Sequence, residues 1–144
     1  MIGEGELLGE IGPGLLIYLG VGPGDDEATA HHLAGRLTRL RIFGDPKGRM
    51  NLSLLDVSGA ALVVSQFTLF ADVSRGHRPS FLQAGNPALA RQLCSLTAAV
   101  LRGAGVSPVA EGRFGAHMQV ESTNDGPVTM VISTAEDPWR ADCG

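Results

Sequence analysis

Ala61-Leu62-Val63-Val64-Ser65-Gln66-Phe67-Thr68-Leu69 is the stretch on which the fold turns. It is apolar, rich in β-branched residues and too short for a helix, so it predicts a central strand over 61–69. Upstream, Leu15-Leu16-Ile17-Tyr18-Leu19-Gly20-Val21 is a second apolar run, set between Gly12-Pro13-Gly14 and Gly22-Pro23-Gly24. It reads as a strand buried on both faces. Between the two, Asp25-Asp26-Glu27 offers an N-cap and first-turn acids, and Ala30, Leu33, Ala34, Leu37 and Leu40 recur at helical spacing, predicting a helix over 26–40. Arg41-Ile42-Phe43 then reads as extended, and Asp45-Pro46-Lys47-Gly48 has the residues of a type I turn.

Downstream, 71–86 reads as a loop, and Asn86-Pro87 supplies a cap and an N1 proline for a second helix. Leu89, Leu93, Leu96, Val100 and Leu101 form its apolar stripe, and Gly103 and Gly105 end it. Ala116 to Glu121 and Val128 to Ile132 predict two more strands, joined by Ser122-Thr123-Asn124-Asp125-Gly126-Pro127. The tail from Ala135 is polar. Strands mixed with two helices in 144 residues make a single compact domain of the α+β or mixed α/β class.

Composition narrows the function. Apolar residues are 44% and charged residues 18% of the chain, a balance that buries a core. Cys94 and Cys143 lie far apart and form neither a disulfide framework nor a zinc ribbon, which suits a reducing cytosol. No apolar run approaches the ~20 residues of a membrane span, and the acidic start lacks the basic region of a signal peptide. A cytoplasmic protein is the expectation. The net charge of −4 argues against a nucleic-acid partner when taken whole. Its distribution differs: residues 1–35 carry six acids and no Lys or Arg, residues 36–113 carry ten Lys/Arg against four acids, and residues 114–144 carry five acids and one Arg. Arginine dominates the basic middle, and its planar fork suits phosphate.

Several chemistries fail on spacing. His31, His32, His77 and His117 have no acid or thiol partner at ligand spacing, so no metal site is expected. Gly20-Val21-Gly22-Pro23-Gly24 continues into no phosphate-binding fingerprint, and no nucleophile elbow exists. Two polar insertions in apolar surroundings remain. Ser65-Gln66-Phe67-Thr68 closes the central strand, where polar groups need partners or a ligand. Asn124-Asp125-Gly126-Pro127-Val128-Thr129 brings Gly-Pro to the lip of another; glycine permits close backbone approach, and X-Pro is the context in which a cis bond is cheap.

Together these segments resemble the two signature motifs of the D-aminoacyl-tRNA deacylases. Arg41-Ile42-Phe43, Met50-Asn51-Leu52, Arg78-Pro79-Ser80-Phe81 and Gly112-Arg113-Phe114-Gly115-Ala116 agree with that family in order and spacing, from about Gly9 to Ser133. The resemblance implies a mixed, barrel-like sheet core with two main helices, a deacylase domain over 1–133 and a tail over 134–144. It implies an ester hydrolase that frees tRNA from D-amino acids, and from glycine mischarged onto alanine tRNA. It also implies a homodimer without metal or other cofactor, with no membrane or DNA partner and with an active site shared across the subunit interface.

By the same resemblance, Gly126 and Pro127 bind substrate through a cis bond whose carbonyls hold the α-ammonium and exclude an L side chain. The Phe67 backbone N–H stabilises the oxyanion, Gln66 positions the ester, and the terminal 2′-OH of the substrate helps to activate water. Ser65 supports the pocket. Thr68 as a covalent nucleophile is the rival, with no evident base to deprotonate it. Family members carry a further strand ahead of this start, with an arginine that braces the Gly-Pro segment, so the first family strand is expected to be missing. An inactive tRNA-binding module of the same fold and a small-ester hydrolase using Thr68 are the alternatives.

Overall fold

The structure, a computed structural model, describes residues 1–3 and 5–136. Its elements run β1 (Ile2–Gly3), β2 (Glu6–Leu7), β3 (Gly14–Leu19), α1 (Glu27–Arg39), β4 (Phe43–Gly44), β5 (Met50–Leu52), β6 (Ala60–Ser65), α2 (Pro87–Gly103), β7 (Val109–Glu111) and β8 (Met118–Gln119). Short 3-10 turns follow at Phe67–Phe70 and Thr134–Glu136. The class is mixed α/β with two helices, as expected, and the sheet core is divided among a parallel sheet β3-β6-β7 and antiparallel sheets β2-β1-β8 and β4-β5.

The parallel sheet organises the rest. In β6, Ala61 and Val63 face α1 and α2, joining Ile17, Leu19, Ala34, Leu37, Ala98 and Leu101 in the main core. The alternate residues Leu62 and Val64 face the other way, onto Met1, Leu8, Leu16, Ala110 and Met118. A strand covered on both faces has no reason to alternate in hydropathy, which is why it reads as an unbroken apolar run. β3 differs from expectation because it is an edge strand: Ile17 and Leu19 are buried, but Tyr18 on the second face is 44% exposed.

Both helices start where their sequences say. Asp26 accepts from the Thr29 amide at 2.9 Å while Thr29 Oγ1 accepts from the Asp26 amide at 3.2 Å, a reciprocal cap worth about 1 kcal/mol. Asn86 accepts from the Leu89 amide at 2.8 Å, with Pro87 opening α2. The turn at Asp45–Gly48 forms with a 2.9 Å bond from the Gly48 amide to the Asp45 carbonyl, and it closes the β4-β5 hairpin.

Three expected strands change. The 61–69 strand ends at Ser65, because the backbone turns at Gln66 (ψ 82°) into the 3-10 turn. Of 116–121 only Met118–Gln119 is paired, against β1. Residues 128–132 have no strand partner among the described residues; Met130 is 49% and Val131 94% exposed, while Ile132 packs on the main core. β-propensity expresses itself only against a neighbouring strand, and this chain supplies none there. β7, unmarked in the sequence, is a three-residue strand directly after Pro108. The 134–144 tail falls outside the described residues beyond its opening turn.

Candidate active site

The first motif sits at the carboxyl end of β6. The Gln66 amide donates to the Leu19 carbonyl at 2.8 Å, extending the β3-β6 pairing one residue past the strand. The chain then coils: the Leu69 amide reaches the Gln66 carbonyl at 3.3 Å and the Ala71 amide reaches Thr68 at 3.0 Å. At the start of such a turn the first amides have no carbonyl behind them. The N–H groups of Phe67 and Thr68 accordingly have no acceptor among the described residues. The ring of Phe70 fixes the turn against the chain after β3. A Cβ added to Gly20 would lie 2.9 Å from that ring, so only glycine admits it.

The side chains divide between two faces. Ser65 follows Ala61 and Val63 onto the helix side, beside the buried thiol of Cys94. Burial pushes that thiol up, and the Ser65 hydroxyl offsets this in part. The two line a cavity of about 40 Å³ with Val63, Arg91, Glu111 and Phe114. That volume holds water and no aminoacyl group. The Arg91 guanidinium lies 4.9 Å over the Phe114 ring and roofs it. Gln66 is half-buried, and its side-chain amide donates to Thr68 Oγ1. Phe67 is 56% exposed, and its ring meets Phe81 edge-on at 4.9 Å. Phe70 and Phe81 therefore shape the turn, a role that the sequence reading did not give them. The aromatic spacing around 67–81 was the available signal.

The second motif is a self-closed loop. Asn124 Oδ1 accepts from the Val128 amide at 2.9 Å, and its Nδ2 donates to Thr129 Oγ1 at 2.8 Å. Gly126 and Pro127 stand exposed at its tip, joined by a cis bond as expected, with Gly126 at φ 137°. That backbone conformation excludes a β-carbon. Among the described residues no hydrogen bond links this loop to Ser65–Thr68. No three metal-ligating side chains come together among them either, and no helix is long and apolar enough to cross a membrane.

The site's geometry meets its relatives here. Residues 2–133 match the family model described as D-Tyr-tRNA(Tyr) deacylase. The chain is 56% identical over 133 residues to a D-aminoacyl-tRNA deacylase of Thermomicrobium roseum, covering 92% of this chain and 86% of that one. It is 54% identical over 129 residues to a D-aminoacyl-tRNA deacylase of Deinococcus radiodurans, covering 90% and 88%. Among solved structures it superimposes on a c-Myc DNA Unwinding Element Binding Protein with a TM-score of 0.84 at 33% identity, over 92% of this chain and 90% of that one. A probable eukaryotic D-amino acid tRNA deacylase shares the fold, with a TM-score of 0.65 at 20% identity over 78% and 81%. With a family model spanning nearly the whole chain and relatives above half identity, the chain belongs to the D-Tyr-tRNA(Tyr) deacylase family.

Proposed function

We propose that this protein hydrolyses the ester of D-aminoacyl-tRNA, releasing free tRNA and a D-amino acid, and that it also clears glycine mischarged onto alanine tRNA. The observation that carries the reading is the pair of unclaimed N–H groups at Phe67 and Thr68, fixed at the end of a buried strand. An ester carbonyl seated there develops its negative charge against donors already in position. An aminoacyl ester is reactive enough that this stabilisation, with a water activated by the substrate's own 2′-OH, suffices.

Thr68 is not the nucleophile in this reading. Its hydroxyl accepts from the Gln66 amide, and an amide N–H cannot take the proton that an attacking hydroxyl must lose. Gln66 positions the ester and Thr68 holds Gln66. Ser65 supports the strand end from behind. Gly126 and Pro127 take the α-ammonium on their exposed carbonyls, leaving no room for an L side chain. Glycine has no side chain to reject and passes the filter.

In the proposed assembly, two copies pair and each lends its Gly126-Pro127 tip to the other's Phe67. The exposure of that tip and the lack of any hydrogen bond from it to Ser65–Thr68 among the described residues support this arrangement. The compartment is the cytoplasm, where charged tRNA is found. Incubation with D-Tyr-tRNA, L-Tyr-tRNA and Gly-tRNA tests the proposal: release from the D and Gly esters and none from the L ester is expected. Retained binding of tRNA with no release from any of them would overturn it in favour of a binding module.

A further inference from the structure

The basic middle of the sequence separates in space. Arg39 and Arg41 leave the end of α1 and lead into the β4-β5 hairpin, which carries Lys47 and Arg49. β5 then runs into the Ser53–Gly59 turn that delivers the chain to the amino end of β6. That end is opposite the Phe67 turn. Arg75, His77 and Arg78 instead follow the turn directly.

Their loop is built. Asp72 and Ser80 exchange both backbone hydrogen bonds at 2.8 Å, and the Ser74 amide donates to Asp72 Oδ1 at 2.9 Å, which occupies the loop's carboxylate. Phe81, next in the chain, rests its ring edge on Phe67. The loop's two ends are thus tied to each other, and through Phe81 to Phe67. Residues 71–79 are all exposed, and Arg75, His77 and Arg78 make no ion pair or side-chain hydrogen bond among the described residues. Guanidinium groups carried on a loop that is anchored next to Phe67, with no ion-pair partner among the described residues, match the chemistry that flanks the ester in the proposed substrate: the phosphodiesters of the same RNA strand.

We propose that the 72–80 loop grips the phosphate backbone of the tRNA 3′ strand, Arg75 and Arg78 each taking a phosphate. This rests on the deacylase reading and adds a division of labour to it, in which Phe67 recognises the ester and the loop recognises the polyanion next to it.

The test compares kcat/KM on D-Tyr-tRNA and on 3′-O-D-tyrosyl-adenosine, which has the ester and no phosphate. R75A/R78A should lose on the order of tenfold or more on the tRNA substrate and nothing on the nucleoside ester, whose turnover also shows that the variant is folded. The slope of log(kcat/KM) against log salt should flatten by about 1.4 on tRNA, the loss of two single-strand phosphate contacts. K47A/R49A on the β4-β5 hairpin, which leads into the opposite end of β6, is the charge-matched comparison and should keep the tRNA rate. Equal losses on both substrates, no loss on tRNA, or an equal loss in K47A/R49A would each overturn the proposal. A wild-type protein that cleaves neither substrate overturns the deacylase reading itself, and does so before any variant is compared.

Discussion

Thr68 and Asp72 lie four positions apart and make different predictions. The Thr68 hydroxyl holds the Gln66 side chain. Thr68→Ala should therefore cost about fivefold in turnover, the ~1 kcal/mol of one hydrogen bond. No acyl-protein adduct should be trapped in wild type by mass spectrometry, whereas an obligatory nucleophile would abolish activity on substitution and leave such an adduct. Asp72 holds the loop through Ser74, whose hydrogen bonds lower its carboxyl below the usual 3.8. A depressed carboxylate pKa stabilises the fold above 3.8 and loses that contribution as the pH falls through the lowered value. The Ser74 amide resonance should thus titrate with a midpoint below 3.8, and in Asp72→Asn this titration should vanish. The residue types of the site were legible in sequence, because polar groups ending an apolar strand demand a partner. The hydrogen bond joining Gln66 to Thr68 was not, since it depends on the chain coiling after Ser65.

Among the elements, helices were read nearly to the residue, because caps such as Asp26 and Asn86 are local. Strands were not, because their limits depend on partners distant in sequence. Phe67 and Leu69 continue the apolar pattern of β6 but face solvent, so periodicity carried the strand too far. The turn that replaces it is set by Phe70 lying on Gly20 and Gly22. Gly20→Ala would place a methyl 2.9 Å from the Phe70 ring and 3.3 Å from the Gln66 carbonyl. We expect it to destabilise by about 1–3 kcal/mol in thermal unfolding, as overpacking does, and to lower kcat as the Phe67 amide is displaced. Gly20→Ala/Phe70→Leu should recover part of both; no recovery would mean that the ring does not set the turn.

Across the whole molecule, two apolar side chains outside the sheets stand uncovered. Val131 is 94% exposed and Leu82 90% in the single chain. If residues 128–132 pair with a second copy, Val131→Asp should shift sedimentation to the monomer and abolish deacylation, while circular dichroism stays unchanged. A dimeric, active variant would count against the shared site. Net charge was the least informative property in the sequence, since −4 is a sum over an acidic start, a basic middle and an acidic end and hides all three. The pairing of the Gln66 amide with the Leu19 carbonyl has a consequence of another kind. β3, β6 and β7 are all parallel, so every neighbour in that sheet is joined only after a long crossover has closed. The Phe67 and Thr68 amides, proposed above to meet the ester, follow directly on the residue that completes the β3-β6 closure. A chain still on the ribosome, or one partly unfolded, has not yet set those amides. Activity recovered during refolding should therefore trail helix formation and coincide with the final burial of the sheet, so that only finished molecules ever touch charged tRNA.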